Sequence, residues 1–257
     1  MHPVLFRWGG HVLYSYTALT WLGIVLAVGY VQWRGYRARY QATQVLDASL
    51  WTLVGGLIGA RLAYVWPNWA DYAGRPLALV SFWGGGLVFQ GGLIGGIVTL
   101  WLHAMYAQLP FLALVDIAAP AVALAQSLGW VGALMHGANY GLVLRSPVSI
   151  WLPDLYGVYG PRFPTQLLAA ILTFLLGLVL YHWSWRRWKP GVLGLLYVLG
   201  NGATQFLLEF TRADEAPHLG LMRVTQVVAL GEALLALALL LYLWPRRRLL
   251  DELILPR

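Results

Sequence analysis

The chain has 257 residues, of which 60% are hydrophobic and 11% charged, with a net charge of +7 and no cysteine. A soluble domain carries roughly 25% charged residues, so most of these side chains face lipid. Without cysteine there are no disulfides, thiol nucleophiles or Cys-ligated metals, and basic clusters confined between apolar runs do not make a nucleic-acid surface.

Seven apolar stretches, each about 20 residues long, are predicted to cross the membrane. In chain order they are Tyr14–Trp33, Val45–Trp66, Leu87–Gln108, Phe111–Met135, Thr165–Trp185, Val192–Phe210 and Val224–Trp244. Met1 to Arg7 has no basic region followed by a cleavage site, so no removable signal peptide is expected. In the fourth stretch Pro120, Gly129 and Gly132 are positions where a helix could kink or break. The fold class expected is therefore an all-α integral membrane bundle of about seven helices, residues 1–257 forming a single transmembrane domain.

Charge orients this set. Arg34, Arg37 and Arg39 follow the first span, Arg186, Arg187 and Lys189 the fifth, and Arg246, Arg247 and Arg248 the seventh. The positive-inside rule then places the N-terminus outside and the C-terminus in the cytoplasm. Two long segments, Trp66 to Gly86 and His136 to Pro164, face outward. They are rich in aromatic residues, Gly and Pro, and are expected to rest on the outer leaflet, where the chemistry should lie. A short echo, Gly55-Gly-Leu-Ile-Gly59 and Gly91-Gly-Leu-Ile-Gly95, offers small residues four apart on a helix face and reads as two tight packing sites.

Polar groups inside spans cost roughly 2.5–3.5 kcal/mol for a charge at a helix centre, so they turn inward or serve a purpose. Arg61 in the second span either snorkels to the interface or turns inward toward a lipid phosphate, which its planar fork suits. Asn201, Gln205 and Glu209 are four apart on one face of the sixth span, with Arg212 three beyond. That face either packs on a polar partner or lines a cavity. His136, where the fourth span exits, is either a structural residue or a base. His103 and His182 fall near cytoplasmic ends. No His/Glu spacing reads as a metal site and no Ser/His/Asp grouping is evident.

Several segments, in order, resemble the prolipoprotein diacylglyceryl transferase family. They are Met1-His-Pro-Val-Leu-Phe6 with Leu13-Tyr-Ser-Tyr16, Gly59-Ala-Arg-Leu-Ala-Tyr64, Gly84 to Gly95, Asp116-Ile-Ala-Ala-Pro120, Pro161-Arg-Phe-Pro-Thr-Gln-Leu167, Glu209-Phe-Thr-Arg-Ala-Asp214 and Val224-Thr-Gln226. The resemblance implies a multi-pass protein of the bacterial plasma membrane that needs no cofactor or metal. It implies a phosphatidylglycerol-like phospholipid as ligand. The family's reaction passes the diacylglyceryl group of phosphatidylglycerol to the thiol of a preprolipoprotein Cys, and glycerol phosphate leaves. Tyr16, Arg61, Gln90, Asn139, Arg162, Gln166, Asn201, Gln205, Glu209 and Arg212 are the expected lipid- and substrate-binding residues, and His136 is the expected catalytic candidate.

The chain also departs from the family's pattern. Gln90 stands where the resemblance calls for His, and Trp130, Leu142 and Gln205 stand for Arg. Ala133 and His136 stand for Asn, and Ala138 for Glu. A charge-assisted hydrogen bond contributes about 1.5–3 kcal/mol, and each 1.36 kcal/mol is tenfold in rate, so two such losses cost on the order of a thousandfold. Three readings follow. One is a transferase with a rearranged site and His136 as its base. The second is an inactive homologue that binds lipid or acts as a subunit of a larger membrane complex. The third is a lipid-headgroup enzyme with another acceptor.

Overall fold

The computed structural model describes residues 4–9, 11–81 and 86–243. The elements run in the order β1 (Val4–Trp8), β2 (His11–Tyr14), α1 (Ser15–Arg37), α2 (Ala42–Val65), α3 (Trp69–Tyr72), α4 (Pro76–Leu79), α5 (Phe89–Tyr106), α6 (Phe111–His136), β3 (Ile150–Pro153), β4 (Tyr159–Arg162), α7 (Thr165–Trp183), α8 (Val192–Glu209), β5 (His218–Leu219), β6 (Met222–Arg223) and α9 (Val224–Leu243). This is an all-α integral membrane protein. Among the described residues, six helices are long and apolar enough to cross a membrane: α1, α2, α6, α7, α8 and α9. Helix α5 covers the third predicted span with 18 residues, and its four glycines, Gln90 and His103 lower its apolarity.

Helix bounds fall within a few residues of the predicted spans. The last predicted span ends at Trp244, outside the described residues. Pro120 does not break α6, which runs unbroken for 26 residues. Pro120 is fully buried, so the backbone groups a proline frees face protein and not lipid.

The chain divides into two compact units, one of residues 28–117 and one of residues 1–27 with 118–257. In the 28–117 unit, the two echoed glycine runs pack against one another, α2 on α5. A methyl group on Gly55 would lie 2.9 Å from the Gly95 carbonyl oxygen, and one on Gly59 would lie 2.9 Å from the Gly95 Cα. Only residues without a Cβ allow the two backbones this close. Ala48, Leu100, Ala104 and Leu114 form the apolar cluster of this unit.

The other unit uses the same device with different partners. A Cβ on Gly202 of α8 would lie 2.7 Å from the Ala229 carbonyl of α9. One on Gly23 of α1 would lie 2.9 Å from the Ala125 carbonyl of α6. Three short antiparallel hairpins, β1–β2, β3–β4 and β5–β6, occupy segments in which no strand was predicted. The 137–164 segment is stitched to the end of α8: Leu142 N–H donates to Thr211 O at 2.8 Å and Ala213 N–H to Tyr140 O at 2.9 Å. A single loop strand cannot satisfy its own backbone, so pairing with a returning chain is the available solution.

Candidate functional site

The exit of α6 places the first polar residues of the site. Helix α6 ends at His136, and the chain reverses through Gly137 and Asn139, with φ of 80° and 54°. A methyl group on Gly137 would sit 2.9 Å from the Asp154 carbonyl carbon, so this turn requires glycine there. The reversal presents Asn139 to the end of α8, where Arg212 Nη2 donates to Asn139 Oδ1 at 3.0 Å.

Arg212 is the hub of a nearly buried four-residue ion network. Its guanidinium bonds Glu209 one turn earlier on the chain, and its Nε donates to Asp214 Oδ1 at 2.8 Å. Arg223, at the start of α9, reaches Glu209 Oε2 at 3.3 Å and Asp214 Oδ1 at 3.2 Å. Two guanidiniums thus face two carboxylates, and the cluster is neutral. Burial alone would raise the Asp214 carboxyl, but the hydrogen bond and charge of Arg212, followed by Arg223, outweigh it and hold it below the usual carboxylate range. Burial likewise works against a charged Arg212, and Asp214 and Glu209 overcome it.

Arg162, on β4, has its own counter-ion. Its Nη2 donates to Asp154 Oδ2 at 2.9 Å, and its guanidinium lies 4.7 Å from the centre of the Tyr140 ring. Asp154 is fixed in turn by the backbone N–H groups of Tyr156 and Val158, both at 2.9 Å. Gln166 is buried on α7, where its Nε2 donates to Ala138 O at 2.9 Å and its Oε1 has no partner among the described residues. His136 packs between two tyrosine rings, 5.8 Å from Tyr14 and 6.1 Å from Tyr16, and its Nδ1 is buried without a partner among the described residues.

The polar face of α8 divides into separate contacts. Asn201, fully buried, accepts from Gln126 Nε2 at 2.8 Å, and Gln126 Oε1 accepts from the Tyr197 hydroxyl at 3.1 Å. Gln205 is buried one turn further, and Glu209 belongs to the ion network. Trp130 and Ala133 are buried with Ala169, Ala170 and Leu208 in one apolar cluster, against which Ala138 packs.

Two predicted residues belong to the 28–117 unit. Gln90 is buried in the first turn of α5. Arg61 is also buried, so its head does not snorkel to water. Its Nε, Nη1 and Nη2 donate to the carbonyls of Leu79 at 2.9 Å, Gly86 at 3.0 Å and Ala78 at 2.6 Å. The rings of Tyr64 and Tyr72 lie 5.8 and 5.3 Å from the guanidinium. The rigid fork of Arg thereby fastens the 66–86 segment to α2.

Along the chain, a profile of prolipoprotein diacylglyceryl transferase matches residues 3–242. The chain belongs to the prolipoprotein diacylglyceryl transferase family. It is 29% identical over 234 residues to the phosphatidylglycerol–prolipoprotein diacylglyceryl transferase of Clostridium tetani, covering 90% of this chain and 93% of that protein. It is 30% identical to the transferase 2 of Clostridium perfringens, covering 90% and 91%. It is 32% identical over 214 residues to the enzyme of Nitratidesulfovibrio vulgaris, covering 78% of each. Membership of this bacterial family and the apolar helices together make it a multi-pass protein of the bacterial plasma membrane.

Sequence reasoning for this transferase-family chain left out Gln126, Asp154, Asp214 and Arg223, whose side chains the structure bonds to predicted ones. Gln126 sits mid-span, and its pairing with Ser127 in an apolar helix was the available signal. Asp154, Asp214 and Arg223 read as isolated loop charges, because the hairpins that turn Asp154 toward Arg162 and Arg223 toward Glu209 and Asp214 carry no signal in the spacing.

Proposed function

We propose that this member of the family binds a membrane phospholipid without transferring its diacylglyceryl group, and serves as a lipid-binding or structural component in the membrane. One observation carries the reading. Trp130, Ala133 and Ala138, which stand where the family resemblance calls for Arg, Asn and Glu, fall together in a single apolar cluster with Ala169, Ala170 and Leu208. In the family's reaction a thiol attacks the glyceryl carbon that bears the phosphate, and glycerol phosphate leaves with the C–O bond electrons. Charge develops on the leaving oxygen, and donors aimed at it supply most of the catalysis. An indole packed among alanines and a leucine supplies none.

The remaining cations point the same way. Arg212 and Arg223 are spent on Glu209 and Asp214, and Arg162 on Asp154. A preorganised phosphate cradle needs guanidiniums whose donors are directed to the ligand. The polar side chains that retain lipid-binding capacity are neutral: Tyr16, Asn139, Gln166 and Gln205.

The second reading, a transferase with a rearranged site, rests on His136. Its buried Nδ1 has no partner among the described residues, and a neutral imidazole can take a thiol proton. The test is diacylglyceryl transfer from labelled phosphatidylglycerol to a lipobox peptide by the purified chain. The expected result is no release of glycerol phosphate, with unreacted phospholipid co-purifying. Robust turnover abolished by His136→Ala would establish the second reading instead.

A further inference from the structure

The buried cations of the outward-facing network are matched by carboxylates. In the 28–117 unit the balance is different. The turn joining α1 to α2 carries a surface groove of about 460 Å³ lined by Tyr36, Arg37, Arg39, Tyr40 and Gln41. No carboxylate lines it, and neither Arg37 nor Arg39 forms an ion pair among the described residues. Two guanidiniums lining one open surface groove repel one another, and a bound anion reduces that repulsion.

The backbone of the turn is fixed. Arg39 has a φ of 64°, in the left-handed region that glycine enters freely and residues with a Cβ enter at a cost. Backbone bonds close the turn around it, Arg39 N–H to Tyr36 O and Tyr40 N–H to Gly35 O, both 3.0 Å. The guanidinium of Arg37 lies 5.6 Å from the centre of the Trp33 ring. Arg34 and Arg37 in the last turn of α1 complement the negative end of the helix dipole. Arg39 lies beyond that turn, so the dipole does not account for it. Tyr36 and Trp33 are exposed aromatic residues next to the groove, the composition of a helix end at headgroup depth.

We propose that this groove holds the phosphate of an anionic phospholipid headgroup. Guanidiniums match phosphate oxygens with paired N–H donors, the phenols of Tyr36 and Tyr40 are further donors, and the adjoining aromatic rings meet the acyl–headgroup boundary. In the orientation that the basic clusters predict, the lipid belongs to the cytoplasmic leaflet, whose negative surface potential concentrates such headgroups. The inference is independent of any lipid held at the outward-facing network.

The test uses the full chain in nanodiscs containing phosphatidylglycerol and phosphatidylcholine, with benzoylphenylalanine in place of Gln41. Photocapture is compared with that of the same protein carrying Arg37→Gln and Arg39→Gly. The glycine keeps the left-handed turn, and an unchanged unfolding midpoint verifies the fold of the variant. Capture of phosphatidylglycerol in preference to phosphatidylcholine is expected, falling roughly thirtyfold in the variant from the loss of two surface cations. Equal capture of the two lipids, or equal capture by the two proteins, would overturn the proposal. Displacement by millimolar inorganic phosphate would replace the lipid with a soluble phosphate ligand, and so would also overturn it. None of these outcomes bears on diacylglyceryl transfer, which is read separately.

Discussion

Replacing Arg212 by Met tests whether the ion network at the end of α8 holds the connecting loops to the helices. The substitution removes the bonds to Glu209, Asp214 and Asn139 and leaves an apolar side chain of similar length. The Glu209 side chain is only 1% exposed and would keep a single cation, Arg223, at 3.3 Å. Breaking a buried ion pair by removing one partner costs about 3–5 kcal/mol. Because Arg223 remains and Asp214 is 18% exposed, the lower end, about 3 kcal/mol, is expected. Reversible unfolding of the purified protein in mixed micelles, titrated with dodecyl sulfate, reads the difference.

The same experiment has a pH arm with a definite sign. The folded Asp214 titrates below its unfolded value, so its contribution is complete above about pH 4 and is lost as pH falls through the folded value. Removing Arg212 takes away most of what holds that carboxyl low. The gap between wild type and variant should therefore narrow as pH falls from about 4 through the lowered folded value of Asp214, below which the carboxyl is protonated in both. Adding Glu209→Leu should recover part of the loss, because the stranded buried charge goes with it. A single Arg212→Met variant within about 0.5 kcal/mol of wild type at pH 7 would refute the reasoning.

Three further outcomes follow from other contacts. Gly59→Leu should destabilise the protein by about 1–3 kcal/mol in the same unfolding assay, because its Cβ meets backbone at 2.9 Å, whereas Gly74→Leu, with nothing within 4 Å, should not. Glu232→Leu in α9 should raise stability by about 2 kcal/mol, since both carboxylate oxygens are buried without a partner among the described residues; a loss of stability would show that the carboxyl is engaged. Arg61→Lys should speed proteolytic cleavage between residues 66 and 86 severalfold, because one ammonium cannot hold the Ala78, Leu79 and Gly86 carbonyls together; unchanged cleavage would remove Arg61 as the fastener of that segment.

The spans were legible because lipid imposes one rule on every position: about 20 apolar residues in a helix that satisfies its own backbone. The glycine echo was legible as a packing device for a similar reason, since small residues four apart leave a groove whatever fills it. The partner was not, and the contacts of Gly55 and Gly59 with Gly95 come from the structure. The three hairpins escaped because strands of two to five residues in turn-rich segments carry too little periodicity to register. For Arg61, the sequence offered solvent or a phosphate. The carbonyls of a loop that follows about 17 residues later are a third answer, which only the fold supplies.

The sequence by itself determined the membrane class, the helix positions, the family and the residues Trp130, Ala133, Ala138 and Gln205 at positions where the resemblance implies polar ones, since these are properties of composition, spacing and residue identity. Tertiary structure alone decided what those substitutions amount to. It gathered Trp130, Ala133 and Ala138 into one apolar cluster, matched Arg212 and Arg223 with Glu209 and Asp214, and left Arg37 and Arg39 without a carboxylate partner among the described residues. The physical reason is that charge compensation depends on side chains meeting within hydrogen-bond distance, and spacing along a sequence does not say which way a turn or hairpin directs its side chains.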